Sequence, residues 1–265
     1  MVTPLSRMRY LIMDMDGVLY RGNTALPGAM EFLPWLEERR IEYLMLTNNS
    51  GRTPAGWGDK MAALGMPVSA EHIMTAAQAT AAYLHRVAPQ GGRVYIIGGR
   101  GLEEAVLDNS GGLFVLDDRH PDFVCVGLDT GFTYDKLKRA CLAIRAGARF
   151  IASNPDLTYP AEEGLLPGAG SLVAALEACT DVKALVIGKP EHTAFDLALE
   201  RLGADPTATA MLGDRLDTDI LGGIRAGLTT IMVLTGISTQ ADLAASAYHP
   251  DYVFPGLPEL MAAFG

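Results

Sequence analysis

The chain has 265 residues, 49% hydrophobic and 20% charged, an ordinary globular composition that excludes a disordered or fibrous protein. Acidic residues outnumber basic ones 31 to 21, a formal charge of −10 that repels phosphate backbones and anionic membrane surfaces, so neither nucleic acid nor membrane is expected as a partner. Cys125, Cys141 and Cys179 are three widely spaced cysteines with neither zinc-site spacing nor the density of a disulfide framework, which fits a reducing cytoplasm. No apolar segment precedes Asp14 as a secretion signal would, and no run approaches the ~18 apolar residues of a membrane span.

Short apolar runs at 9–13, 42–46, 94–97, 123–126, 149–152, 184–187, 208–212 and 230–234 read as strands covered on both faces. Helical patterns lie between them. In 190–202, Ala194, Phe195, Ala198, Leu199 and Leu202 share one face, and Gly203 supplies the stop. The alternation predicts an α/β fold built on a mainly parallel sheet. Cys141 falls on a helical face with Tyr134, Leu137 and Ile144, and Cys125 in an apolar strand, so both are expected in a core.

Polar residues follow four of these strands. Asp14-Met15-Asp16-Gly17 comes first. Residues two apart on an extended chain point the same way, so both carboxylates can project from the strand's carboxyl end, where open α/β sheets place ligands. Like charges this close need a cation between them or a shared proton, which suggests a metal-assisted nucleophile with an acid/base partner, although a solvated turn after a strand gives the same letters. Thr47-Asn48-Asn49-Ser50-Gly51 follows the second strand and offers a hydroxyl, amides and backbone N–H groups to a phosphate, or simply a polar turn. The third run ends in Gly188-Lys189-Pro190, bringing a compact positive charge to the start of a helix. The fourth ends in Gly213-Asp214-Arg215-Leu216-Asp217-Thr218-Asp219; Asp217 suits a helix start, while Asp214 stands where a strand end can face a metal.

In order and residue type, these four motifs resemble the haloacid dehalogenase superfamily. The middle of the chain, from Ser153-Asn154-Pro155-Asp156 to Gly164-Leu165-Leu166-Pro167-Gly168-Ala169-Gly170-Ser171, is similar to the class IIA phosphatases, which include the ribonucleotide phosphatase NagD, 4-nitrophenylphosphatases and pyridoxal phosphatase. The resemblance implies a Rossmann-like catalytic core at 1–75 and 184–265, with an α/β cap inserted at 76–183. It also makes Gly98-Gly99-Arg100-Gly101, which lacks the last glycine of a dinucleotide fingerprint, a strand-to-helix turn within the cap. The five histidines show no metal-ligand spacing, and His192 reads as a solvated first-turn residue.

Carried over position by position, the resemblance makes Asp14 the nucleophile that becomes an aspartyl phosphate. Asp16 would be the acid that protonates the leaving alkoxide and then activates water. Mg²⁺ would be held by Asp14, the Asp16 backbone carbonyl and Asp214, with Asp219 orienting metal-bound water. Thr47, Asn48 and Asn49 would bind phosphoryl oxygens, with Lys189 offsetting the charge of the transfer. The expected substrate is a small phosphorylated metabolite, of nucleotide, sugar, pyridoxal, glycolate or glycerol type. In the cap, the loop 154–160 presents Asp156, Leu157 and Tyr159 as candidate substrate contacts. A homodimer stays open. So do a phosphomutase, a dehalogenase, for which Asp16 and Asp214 would have no work, and a phospho-accepting signalling module, for which the long insertion would be superfluous.

Overall fold

The computed structural model describes residues 4–161 and 163–264. The chain divides into two compact units, one comprising Met1–Thr47, Trp57–Met74 and Lys189–Gly265 and the other Asn48–Gly56 and Thr75–Gly188.

The first unit holds a six-stranded sheet in the order Tyr252–Phe254, Thr229–Val233, Thr209–Gly213, Tyr10–Met13, Glu42–Thr47, Ile73–Thr75. Tyr10–Met13 runs parallel to both of its neighbours, with Met13 opposite Leu212 on one side and Met45 on the other. From this strand the chain builds outward to residue 75 in one direction, and after its return it builds outward from Thr209 in the other. The junction of Tyr10–Met13 and Thr209–Gly213 is therefore the switch point at which open sheets of this kind leave a crevice beyond the strand ends. Leu11, Met13, Tyr43, Met45, Leu212 and Ile231 join Phe32, Leu33 and Leu36 of the helix Ala29–Glu38 in one buried cluster. Each such side chain contributes about 1.5–3 kcal/mol by leaving water, which fixes the strand ends that follow.

The second unit has a five-stranded sheet in the order Leu185–Val186, Arg149–Ala152, Phe123–Val126, Gly92–Ile97, Phe114–Leu116, with all four pairings parallel. Tyr95, Ile97, Val124, Val126 and Phe150 pack with Ala140 and Ile144 of the helix Tyr134–Arg145 and with Val173 and Leu176 of the helix Ala169–Thr180. Cys125 is fully buried and its thiol is pushed up to about 12 by desolvation, so it is inert core. Among the described residues, no helix is long and apolar enough to cross a membrane.

The structure corrects three expectations. The apolar run 184–187 yields only the strand Leu185–Val186, and it pairs with Ile151 and Ala152 in the second unit's sheet rather than with the strands that carry Asp14 and Asp214. An apolar run does not encode which of two parallel sheets it joins. Tyr134 is 79% exposed although Leu137, Cys141 and Ile144 of its helical face pack inward; it is the first helical residue, directly after the Thr133 cap, and stands beyond the covered part of that face. The loop expected over 154–160 ends early. Thr158–Ala161 forms a two-stranded ribbon with Gly164–Pro167, with Tyr159 opposite Leu166. Pro160 and Pro167 disguise these strands, because proline argues against a strand everywhere except at edges, and a ribbon consists only of edges.

Candidate active site

The first unit collects its site from the ends of three adjacent strands. Asp14 directly follows Tyr10–Met13, and its backbone N–H donates to Leu212 O at 2.9 Å, carrying the parallel ladder one residue past the strand. Asp214 directly follows Thr209–Gly213. Thr47 is the buried last residue of Glu42–Thr47. Lys189, the first residue of the chain as it re-enters this unit, is 2% exposed, with its Nζ 2.7 Å from Asp14 Oδ1 and 2.7 Å from Asp219 Oδ1.

Asp219 lies in the π-helical turn Leu216–Ile220, a rare geometry concentrated at functional sites. Its Oδ2 accepts the backbone N–H groups of Asp214 and Arg215 at 3.2 and 3.1 Å. Glycine at position 213 makes this approach feasible, because a methyl group there would overlap the Asp219 side chain. Asp217 is turned aside into a paired contact with Arg215, at 3.1 and 2.9 Å. His192 begins the helix His192–Leu202 and is exposed.

One oxygen of each of Asp14, Asp214 and Asp219 lies within 4.8 Å of the others, and all three residues are buried. Asp214 Oδ2 accepts the Ile237 N–H at 2.6 Å, whereas Asp214 Oδ1 is buried with no hydrogen-bond partner. An orphaned carboxylate oxygen on a member of a buried acidic cluster is costly unless something else supplies positive charge. Three buried carboxylates face one buried ammonium, so the ionised cluster carries two uncompensated negative charges, matching one divalent cation. All-oxygen donors of this kind suit a hard cation such as Mg²⁺. Without a cation, protons take its place. Burial raises the Asp14 carboxyl to about 7, against the pull of Lys189 and with the push of Asp219 and Asp16. Burial and the neighbouring Asp219 and Asp14 charges raise Asp214 well above the carboxylate range. The Lys189 ammonium, flanked by Asp14 and Asp219, is held above its ordinary value despite its own desolvation.

These shifts carry a stability consequence with a definite sign. Between the ordinary carboxylate value of 3.8 and about 7, the folded metal-free protein binds more protons than the unfolded chain, so its stability falls as pH rises through that window. Asp214→Asn removes one of the opposed charges, keeps an oxygen for the Ile237 N–H and turns an amide donor toward the remaining carboxylates. The variant is expected to melt about 2–4 °C above the parent in chelator at pH 8, roughly 1 kcal/mol for a chain of this length. Thermal melts at pH 5 and pH 8 check this; a lower melting temperature for the variant at pH 8 contradicts it.

Asp16 follows at the turn. The Gly17 N–H donates to Tyr20 O at 2.8 Å, with Gly17 at φ +86°, a left-handed conformation that favours glycine. A side chain at Gly17 would also press within 2.5 Å of Asp214 Oδ2. Asp16 is held above the usual carboxylate range by burial, moderated by the Lys60 and Arg21 charges. Lys60 sits 3.8 Å from the centre of the Tyr20 ring, and Arg21 donates to Thr235 O at 2.5 Å. Sequence reasoning missed Arg21, Lys60 and the segment 235–238. The segment left a signal, since Thr235-Gly236-Ile237-Ser238 follows the strand Thr229–Val233 as the other motifs follow theirs. Arg21 and Lys60 left none, because an isolated basic residue looks like surface.

The second unit holds the remaining candidates. Asn48 is buried, and its Nδ2 donates to Asp156 Oδ1 at 3.3 Å. Asn49 is half-buried and accepts the Gly51 N–H through Oδ1 at 2.9 Å. Leu157 is 62% exposed. Tyr159 is half-buried in the ribbon.

Comparison with known proteins agrees with this arrangement. A haloacid dehalogenase-like hydrolase profile matches residues 11–111, and a second profile of HAD-hydrolase-like proteins matches residues 186–260. An acid sugar phosphatase of Staphylococcus aureus is 42% identical over 96% of this chain and 96% of its own, and an acid sugar phosphatase of Staphylococcus epidermidis is 41% identical over 94% of each. Among solved structures, a 4-nitrophenylphosphatase from Thermotoga maritima superposes with a TM-score of 0.93 at 36% identity, covering 98% of this chain and 99% of that one. NagD from Escherichia coli does so with a TM-score of 0.89 at 34% identity, covering 95% and 98%. Full-length likeness at these identities, together with the buried Asp14, Asp214, Asp219 and Lys189 at the strand ends, shows that the chain belongs to the haloacid dehalogenase superfamily, in its NagD-like class IIA branch of phosphatases.

Proposed function

We propose that this phosphatase hydrolyses small phosphate monoesters with Mg²⁺ through an aspartyl phosphate on Asp14. The observation that carries this reading is the charge arrangement: Asp14 is buried beside Lys189 at 2.7 Å, within an acidic cluster whose Asp214 Oδ1 has no partner. Asp14 attacks phosphorus, forming the Asp14 O–P bond as the ester P–O bond breaks. Lys189 neutralises negative charge shared by Asp14 and the transferring group. Burial holds the Asp16 carboxyl above the usual carboxylate range, the direction that favours an acid able to protonate the departing alkoxide; the resulting carboxylate then takes a proton from water, which attacks the acyl phosphate, breaking the Asp14 O–P bond and releasing phosphate. Mg²⁺ would be held by Asp14, the Asp16 carbonyl and Asp214, and when bound it supplies charge neutralisation for the phosphoryl oxygens. Asp219 holds Lys189 and the Asp214 backbone in place. Thr47, Asn48 and Asn49 grip the phosphoryl oxygens.

Sugar phosphates are the substrate class that the staphylococcal relatives' names favour, with 4-nitrophenyl phosphate as a convenient chromogenic probe. The experiment is direct. Purified protein stripped with chelator is expected to be inactive on 4-nitrophenyl phosphate and on a panel of sugar phosphates, and to recover with added Mg²⁺; full turnover in excess chelator would contradict the reading. Residues 75–188 would supply selectivity as the cap. Tyr159→Ala is expected to change the ranking of substrates by kcat/KM, by about 1–3 kcal/mol for those whose leaving group meets the ring. A uniform loss across the panel together with a lower Tm assigns Tyr159 to the fold of the ribbon alone.

A further inference from the structure

The segment Asn48–Gly56, although it continues a strand of the first unit, is part of the second, and its first five residues are seated there by close backbone approach. Gly51 O accepts the Gly101 N–H at 3.3 Å, and a methyl group on Gly101 would lie 2.6 Å from Ser50 O. Ser50 is fully buried; its Oγ accepts the Leu128 N–H at 3.3 Å and lies 3.1 Å from Ser153 Oγ, while a methyl group on Gly127 would press within 2.5 Å of it. A methyl group on Gly188 would come within 2.7 Å of Asn48 Oδ1. Gly101, Gly127 and Gly188 thus leave room for one loop. That accounts for Gly99 and Gly101 of the Gly98-Gly99-Arg100-Gly101 run, which resembled a dinucleotide fingerprint only in composition.

Asn154 closes the seat. It is 3% exposed; its Nδ2 donates to Asn48 O at 2.7 Å and to Ser153 Oγ at 3.2 Å, and its Oδ1 accepts the Asp156 N–H at 3.1 Å. Asp156 in turn accepts from Asn48 Nδ2. One asparagine therefore fixes the carbonyl of Asn48 directly and, by holding the Asp156 backbone, helps to fix the acceptor of the Asn48 side-chain amide. A buried network satisfied in this way holds one geometry.

We propose that Asn154 and Gly101 are positioning residues for the phosphate grip: they hold the loop 48–52 so that Asn48 and Asn49 present one fixed set of donors to the phosphoryl group of any substrate. The proposal rests on the phosphate-binding role given to these asparagines above. It separates two jobs in the second unit: Tyr159 and Leu157 would discriminate leaving groups, whereas the Asn154 seat would act on the phosphate common to all of them.

The test uses the full-length protein with Mg²⁺ and two neutral variants, Asn154→Ala and Gly101→Ala. Gly101 lies in the first turn of the helix Arg100–Val106, where alanine has the better helix propensity, so an effect of this variant through helix stability would have the opposite sign. Three quantities are read: the inhibition constant of inorganic phosphate, kcat/KM across a phosphomonoester panel, and hydrogen exchange of the peptide containing residues 48–52. Each variant is expected to weaken phosphate inhibition about tenfold and to lower kcat/KM by a similar factor for every substrate, leaving their ranking unchanged. Exchange in 48–52 is expected to rise. The double variant is expected to fall short of the product of the two single effects, because both act through one loop. Faster exchange with unchanged phosphate inhibition overturns the proposal, as does unchanged exchange in both variants. Failure of the wild-type protein to hydrolyse any ester or to be inhibited by phosphate would instead overturn the functional reading, and it would be seen before either variant is made.

Discussion

Asp14→Asn is expected to lower kcat by about 10⁴-fold or more while leaving the fold intact. The loss is of that order because an amide cannot attack phosphorus, and removal of a catalytic nucleophile leaves only what binding and positioning contribute. The fold survives because the asparagine retains an oxygen for the Lys189 ammonium, 2.7 Å away, and because Asp14 is a buried carboxyl already raised to about 7, whose charge opposes folding at neutral pH. Asp16→Asn separates the two roles. With 4-nitrophenyl phosphate, whose leaving group needs little protonation, it is expected to form phosphoenzyme and stall before hydrolysis; with an alkyl phosphate it is expected to do neither. Single-turnover kinetics on both esters check this, and equal impairment of the first step with both esters contradicts the role given to Asp16.

Lys189→Met is expected to damage stability as well as activity. The ammonium is 2% exposed and contacts two carboxylates, Asp14 and Asp219, each at 2.7 Å. Methionine fills the volume and removes the charge, leaving both carboxylates buried without their cation. Breaking a buried ion pair in this way costs about 3–5 kcal/mol, and losing one stabiliser of the transferring group costs on the order of 10²–10³ in kcat. The stability loss has a pH signature. Asp14 takes up a proton near pH 7 or below, and a protonated carboxyl no longer needs Lys189, so the difference between variant and parent is expected to be large at pH 8 and to shrink at pH 5. Urea unfolding in chelator at the two pH values measures it; a pH-independent difference would assign the effect to packing instead of charge.

The parts of the molecule legible in the sequence were those written in local order. Val94-Tyr95-Ile96-Ile97 and Phe123-Val124-Cys125-Val126 are continuous, β-branched and buried on both faces, and for such runs periodicity and burial agree. Asp14 and Asp214 were legible because each directly follows its strand, so strand direction alone places them at one edge. The clustering of Asp14 with Asp219 and Lys189, separated by 205 and 175 residues, was legible only through family resemblance. Tertiary routing hid the rest. The run around Leu185 has strand composition, yet nothing in its letters says that it pairs with Arg149–Ala152. Each strand of the ribbon holding Tyr159 carries one proline, which spoils its strand signal. Arg21 and Lys60 act on Asp16 from a two-residue strand and a helix that no local pattern links to it. The seat of residues 48–52 was hidden for the same reason: glycine marks a close approach without naming the segment that approaches.

The central claim is that phosphate passes through Asp14. Its most direct measurement is an acid quench of the Asp16→Asn variant a few milliseconds after mixing with Mg²⁺ and radiolabelled 4-nitrophenyl phosphate, followed by peptide mapping. The account predicts one acid-stable, base- and hydroxylamine-labile phosphoryl group, on the peptide that contains Asp14, and no label when Asp14 is also replaced by asparagine. Label on any other peptide, or turnover in the wild-type protein with no covalent phosphate at any quench time and with inversion of configuration at phosphorus, would contradict it.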